Sequence, residues 1–272
     1  MQAIANEMNF SETTFVLPSE RADTDVRMRI FTPSDELPMA GHPTIGTMFA
    51  LVRTGLVAPP IEQFVFGLSV GPVPVSLTWQ SDELAFAWMT QLTPSFGPVI
   101  DDVRGAAAML GLPEHAVAGA NLPVQVVSCG MPCLFVPIAS RREVDAAVLD
   151  RAAFAAFMGA LPAPPDCVFF FSLEPKADGA GAYSRMFAPA LGIGEDPATG
   201  GASGPLGCYL VRHGAVTADR AAAMLSLQGV KMGRPSHVHI SIGVEDNEIV
   251  RVRVGGTAVF VSEGFLYLRS AT

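Results

Sequence analysis

Two stretches of this chain repeat one another, and that constrains its fold more than any other feature. Residues 36–55 read ELPMAGHPTIGTMFALVRTG and residues 195–214 read EDPATGGASGPLGCYLVRHG. Aligned without a gap they are identical at Glu36/Glu195, Pro38/Pro197, Gly41/Gly200, Leu51/Leu210, Val52/Val211, Arg53/Arg212 and Gly55/Gly214. The lead-ins also match, Arg29-Ile30-Phe31-Thr32-Pro33 against Arg185-Met186-Phe187-Ala188-Pro189. Each copy is followed by alternating apolar residues around a polar turn, Gln80-Ser81-Asp82-Glu83 in one and Glu245-Asp246-Asn247-Glu248 in the other, the pattern of a β-hairpin. A repeat of this kind is one structural unit made twice. The chain is therefore expected to be α+β, with two similar halves over residues 1–97 and 98–272.

Each repeat reads as a strand, a loop with Pro and Gly, and a helix that stops at Arg-x-Gly. Gly55 and Gly214 suit the left-handed residue that ends a helix, and Arg53 and Arg212 suit the negative end of its dipole. Residues 44–52 and 204–211 are apolar nearly all round, so both helices are expected to be buried on every side, each inside a curved sheet. The second copy has a long prelude from Asn121, two strands and then a helix over residues 152–158. The first has only 35 residues ahead of Glu36 and opens directly on a helical pattern, Met1-Gln2-Ala3-Ile4-Ala5, without a capping residue. The first half is thus expected to lack about 30 residues of strand structure, judged by ordinary element lengths, and to leave a sheet edge open or covered by a partner.

Composition narrows the class of partner. Charged residues make up 16% of the 272, against about 25% in an average soluble protein, and the formal net charge is −9 with no basic run. A nucleic-acid partner is not expected, because phosphate binding needs a basic face. Residues 122–139 carry no charge over a length that could span a bilayer, yet Pro123, Pro132, Pro137 and Gly130 read better as two buried strands around a Gly130-Met131-Pro132 turn. No membrane span is expected, and residues 1–10 lack the basic start of a secretory leader. The expected location is the cytoplasm, where Cys129, Cys133, Cys167 and Cys208, which match no zinc spacing, read as buried thiols.

The chemistry is expected at the two Gly-rich loops. Gly41-His42-Pro43-Thr44 and Gly200-Gly201-Ala202-Ser203 each open a helix whose free N–H groups can hold an anion, and glycine permits close approach. Two such ends related by duplication would face one cleft and grip a carboxylate; the alternative is that the glycines only allow tight helix packing. Neither loop is a nucleotide site, since GxGxxG and GK[ST] are absent. His42 and Asp196 flank the loops at non-equivalent repeat positions, as a diverged function requires. Glu12 stands where a helix gives way to a strand, where the dipole would raise its pKa toward that of a general acid/base. His237 and His239 share a strand face but show no third metal ligand, so no metal is expected. Ser203 lacks the nucleophile-elbow motif of a hydrolase. Arg234, in Gly233-Arg234-Pro235-Ser236, offers a cationic contact or forms an ordinary turn.

Four ordered motifs make the chain resemble the PhzF-like family of phenazine biosynthesis over essentially its whole length. They are Ser11-Glu12-Thr13-Thr14-Phe15, residues 36–44 (ELPMAGHPT), residues 195–200 (EDPATG) and residues 228–236 (QGVKMGRPS). The resemblance implies the diaminopimelate-epimerase-like fold, two halves each a curved, mostly antiparallel sheet around a central helix, usually assembled as a homodimer. It also implies a cofactor-independent isomerase in which a glutamate, Glu12 by motif position, moves a proton between carbons of a dihydroxyanthranilate-type substrate. His42 and Asp196 match the family's polar site residues; Gly41, Gly200 and Gly201 lie on its substrate-contacting loops. Two departures stand out: Gly201 where the family commonly has serine, and the absence of the N-terminal strand region with its Gly-Asn-Pro turn. The expected partner is a small carboxylated metabolite. The rivals are an amino-acid racemase or epimerase on the same fold and a small-acid binding protein that has lost catalysis. The racemase would need a cysteine at each loop, and residues 41–44 and 200–203 contain none.

Overall fold

The two repeated segments each become a helix of 13 residues that starts at equivalent glycines, Gly41–Arg53 and Gly200–Arg212. A computed structural model describes residues 1–165 and 167–267. The chain begins α1 (Gln2–Met8), β1 (Thr13–Pro18), β2 (Val26–Phe31), β3 (Glu36–Leu37), α2 (Gly41–Arg53), β4 (Gln63–Leu68), β5 (Gly71–Gln80) and β6 (Glu83–Gln91). It continues through β7 (Ser95–Ile100), α3 (Val103–Met109), α4 (Glu114–Ala118), β8 (Val124–Ser128), β9 (Pro132–Pro137), α5 (Arg141–Ala146) and α6 (Arg151–Gly159). The rest is β10 (Val168–Ser172), β11 (Ala182–Phe187), α7 (Gly200–Arg212), α8 (Ala218–Ala221), β12 (Met224–Gln228), β13 (Ser236–Glu245) and β14 (Glu248–Gly256). Among the described residues, no helix is long and apolar enough to cross a membrane.

The strands form one sheet in the order β1-β2-β4-β5-β6-β14-β13-β12-β11-β10-β9-β8-β7, with β3 on β2. The repeat is visible in its ladder. β1-β2 and β10-β11 are antiparallel, β2-β4 and β11-β12 are parallel, and each final hairpin carries a register shift, at Thr78/Trp79 and at Gly243/Val244. The halves join where β6 pairs antiparallel with β14. β7 runs through residue 97, where the boundary was expected, and pairs with β8 on the second-half side. Gly55 and Gly214 both follow their helices at positive φ, 74° and 69°.

The expected asymmetry is present at the far edge. β10 continues into β9, β8 and β7, whereas β1 has β2 as its only strand neighbour among the described residues. One expectation is corrected here: α2 is not buried on every side. Every residue of α7 from Gly200 to Leu210 is buried, but α2 leaves His42, Gly46, Phe49, Ala50 and Val52 partly exposed, because no strands beyond β1 wrap that flank. Residues 257–267 follow β14 as β7 follows β6, yet they form no strand; Phe260 lies under the Arg53 guanidinium, 5.4 Å from ring centroid to cation.

Two cores explain the apolar composition. One lies between the sheet and helices α2 and α7 and runs across both halves; the other lies beneath α3, α5 and α6 on the outer face of β8–β11. The run Val168-Phe169-Phe170-Phe171 serves both. Phe169 and Phe171 face the helix side while Val168 and Phe170 face the outer helices, the mark of a strand covered on both faces.

Candidate active site

The two central helices meet at their N-termini. A Cβ on Gly41 would stand 2.4 Å from Gly200 Cα, and one on Gly200 would stand 2.8 Å from Gly41 Cα. The glycines therefore permit the packing, and the packing brings two sets of helix N-terminal amides to one place.

Around that contact stand three titratable side chains from three segments. α1 ends at Asn9 in the left-handed conformation, φ 52°, which asparagine tolerates, and the turn directs Glu12 toward α2. His42, in the first turn of α2, places Nε2 3.0 Å from Glu12 Oε2 and Nδ1 4.0 Å from Asp196 Oδ1. The Glu12 contact is an ion pair outside hydrogen-bond alignment, so Glu12 Oε2 is buried with no hydrogen-bond donor. Asp196 Oδ2 accepts the Thr199 hydroxyl at 2.6 Å.

The Asp196 loop is held by two residues whose importance the sequence alone did not reveal. Gln228, fully buried at the end of β12, donates to the Asp196 carbonyl at 2.7 Å and to Thr199 Oγ1 at 2.8 Å, and accepts the Thr199 N–H at 2.9 Å. Arg185 grips Glu195 with two hydrogen bonds of 2.8 Å. The first half repeats that grip between Arg29 and Glu36, at 2.8 and 2.6 Å. This is why an Arg and a Glu recur in both copies. The signals were present, Gln228 inside the 228–236 motif and Arg/Glu among the repeated residues, but which side chain meets which is set by strand pairing and not by local pattern.

The three groups shift one another's protonation. Burial alone would push the His42 imidazole down; the Asp196 charge and the Glu12 contact outweigh it and lift the pKa to about 9. Burial likewise pushes Glu12 up, but the contact with the His42 cation holds it below the usual carboxylate range. The expected rise from the helix dipole is thus overturned by a nearer charge. Burial raises Asp196, against the opposing pull of His42. A cationic His42 therefore sits beside the Glu12 carboxylate and 4.0 Å from Asp196 at neutral pH. Stability should register it: an unfolded imidazole titrates near 6.5, so the His42 contribution is complete below about pH 6.5 and is lost as pH rises through about 9. Urea denaturation at pH 6.5 and at about pH 9.5 should show wild type losing more stability over that interval than His42→Ala; equal losses would contradict a raised pKa.

All six residues expected at the site, Glu12, His42, Asp196, Gly41, Gly200 and Gly201, line one chamber of about 20 Å³. A cleft of about 390 Å³ opens from Glu12 and His42 past Glu195 to Arg234. Glu12, His42 and Asp196 each offer a ligand atom within 4.8 Å of the others, a spacing open to a metal. His239 packs edge-on against Phe86 and Trp88, and among the described residues no third ligand joins it and His237. Ser203 is buried and donates to the Thr199 carbonyl at 2.9 Å. All four cysteines are buried and free.

The chain is similar to known proteins over nearly its whole length. The chain is 35% identical to trans-2,3-dihydro-3-hydroxyanthranilate isomerase of Pseudomonas aeruginosa, over 98% of this chain and 88% of that protein. It is 32% identical to the uncharacterized isomerase YddE of Escherichia coli, over 96% of this chain and 86% of that one. The crystal structure of a Bacillus anthracis phenazine biosynthesis protein of the PhzF family superposes with TM-score 0.84 at 29% identity, covering 98% of this chain and 88% of that chain. A hydroxyproline epimerase from Agrobacterium vitis shares the fold, with TM-score 0.62 at 14% identity over 90% of this chain and 71% of that chain. The diaminopimelate-epimerase-like architecture is thereby established. The model of the family described as phenazine biosynthesis-like protein matches residues 1–264, and the chain belongs to that family.

Proposed function

We propose that this chain is an isomerase that moves a proton between two carbons of a small carboxylated metabolite, with Glu12 as the base and then the acid. The supporting observation is Glu12 Oε2, a buried carboxylate oxygen with no hydrogen-bond donor, 3.0 Å from a cationic imidazole. In the first step Glu12 takes a proton from a carbon made acidic by a neighbouring unsaturated group. The C–H electrons delocalise toward the substrate carboxylate and its conjugated system. Amides at the starts of α2 and α7 stabilise the charge that develops there. Glu12 then returns the proton to a different carbon and the double bond shifts. His42 and Asp196 orient the substrate and compensate the charge that Glu12 gains and loses.

Relatives named as isomerases support this reading. The two-cysteine epimerase reading is disfavoured because neither loop carries a thiol and the nearest cysteine of α7, Cys208, points its sulfur at Cys129, 3.9 Å away. The test is incubation in D₂O with a panel of unsaturated carboxylic acids, followed by NMR. One acid should isomerise and carry deuterium at the carbon that receives the proton. Acids that bind without any double-bond shift would instead support the binding-protein reading.

A further inference from the structure

A cavity of about 420 Å³ opens where α7, α8, β12 and β13 meet the segment between β10 and β11. It shares no lining residue with the chamber at Glu12 or with the cleft that opens from it. Leu206 and Leu210 of α7, Met224 of β12 and Ile240 of β13 are part of its wall. Every other lining residue is Leu, Val, Ala, Gly or Pro except two, Lys176 and Arg220. Both are exposed, and among the described residues neither is in a salt bridge. Asp178, close to Lys176 in sequence, pairs with Arg141 and is off the wall, as is Asp219. A wall with two cations and no acid runs against the chain's net charge of −9. The parallel ladders β2-β4 and β11-β12 make Ala182 the counterpart of Val26 and Met224 the counterpart of Phe64. A smaller and a more flexible side chain therefore stand where the first half has a β-branched residue and a buried ring, and that exchange leaves room.

We infer that this cavity is a second ligand site and that it takes a single-chain carboxylate. The hydrocarbon chain enters between the apolar side chains, where each methylene taken from water favours binding. The carboxylate stays at the mouth beside Lys176 and Arg220, whose stems cover apolar surface while their charged ends keep to water. The volume falls in the range of about 300–1,000 Å³ that ligand pockets ordinarily occupy. The site is independent of the function proposed above.

Calorimetric titration with octanoate and octylammonium tests it, since the two share a chain and differ in the sign of the head. Wild type should bind octanoate about tenfold more tightly, because each exposed cation attracts one head and repels the other. Lys176→Glu combined with Arg220→Glu should reverse that preference. Gly181→Leu tests the cavity itself. A Cβ at Gly181 would meet only the Leu225 carbonyl oxygen, at 3.8 Å, so the added side chain has open space to fill. It should weaken octanoate by about tenfold, because it takes the place of several methylenes of the ligand. The charge variant changes exposed residues and carries the test if Gly181→Leu does not fold. No binding of octanoate, or binding that neither variant changes, would overturn the site. Equal affinity for the two amphiphiles in wild type would overturn the assignment of a carboxylate as its ligand.

Discussion

Glu12→Gln should lose about 10²–10⁴-fold in turnover and keep its fold, the range general acid/base catalysis ordinarily contributes. The amide preserves the shape of the carboxyl and fills the same buried place beside His42, 3.0 Å from its Nε2. What it removes is the group that can hold a proton between two carbons. Replacing the anion also strips His42 of one of the partners that keep it charged, so the imidazole should titrate lower in the variant. Rate measured on the acid found to isomerise, together with a far-UV spectrum matching wild type, isolates the chemistry from folding. A folded variant at the wild-type rate would take Glu12 out of the mechanism. Asp196→Asn and His42→Ala should lose less if they mainly position the substrate.

Gly41→Ala should destabilise the protein by about 3 kcal/mol or more, lowering Tm by about 5–10 °C. The added methyl would lie 2.4 Å from Gly200 Cα and 2.8 Å from Gly201 N, and backbone cannot swing aside as a side chain can. Either α2 or α7 must move, and with it the 4.0 Å separation of His42 from Asp196. Gly46→Ala on the same helix supplies the internal control. Nothing lies within 4 Å of a Cβ at Gly46, so the same substitution there should raise stability, by about 0.5–1 kcal/mol from helix propensity. Differential scanning calorimetry of the two variants reads opposite signs on one helix. A Gly41→Ala protein that melts with wild type would mean the helix contact is looser than described.

Much of this was legible because duplication is written into the residues themselves. The matched loops placed α2 and α7, the alternating hairpins placed β5-β6 and β13-β14, and Gly130 marked the turn between β8 and β9. Non-equivalent residues at matched positions pointed to His42 and Asp196, and all six expected site residues line one chamber. What remained hidden was which side chain meets which. The ion pairs Arg29–Glu36 and Arg185–Glu195, and the two hydrogen bonds Gln228 donates and the one it accepts, are decided by how strands pair, not by local pattern. The direction of the Glu12 shift was misjudged for the same reason: local reasoning weighed the helix it follows and missed the imidazole that a distant helix brings to it. Burial of α2 was overestimated because an apolar sequence records what a helix can bury, while cover depends on strands elsewhere.

The cradle is two-fold in its walls and one-sided in its contents. Equivalent repeat positions carry an imidazole at His42 and no side chain at Gly201, and Glu12 approaches from the His42 side. On the mechanism proposed above, a planar conjugated acid lying across the two helix ends would show Glu12 only one of its faces. A proton lifted from that face would return to the same face, and the hydrogen's migration would be suprafacial. The carbon that receives the proton would then form in a single configuration, so that one histidine and one glycine at matched positions of a repeat would suffice to make two similar halves act as a chiral reagent.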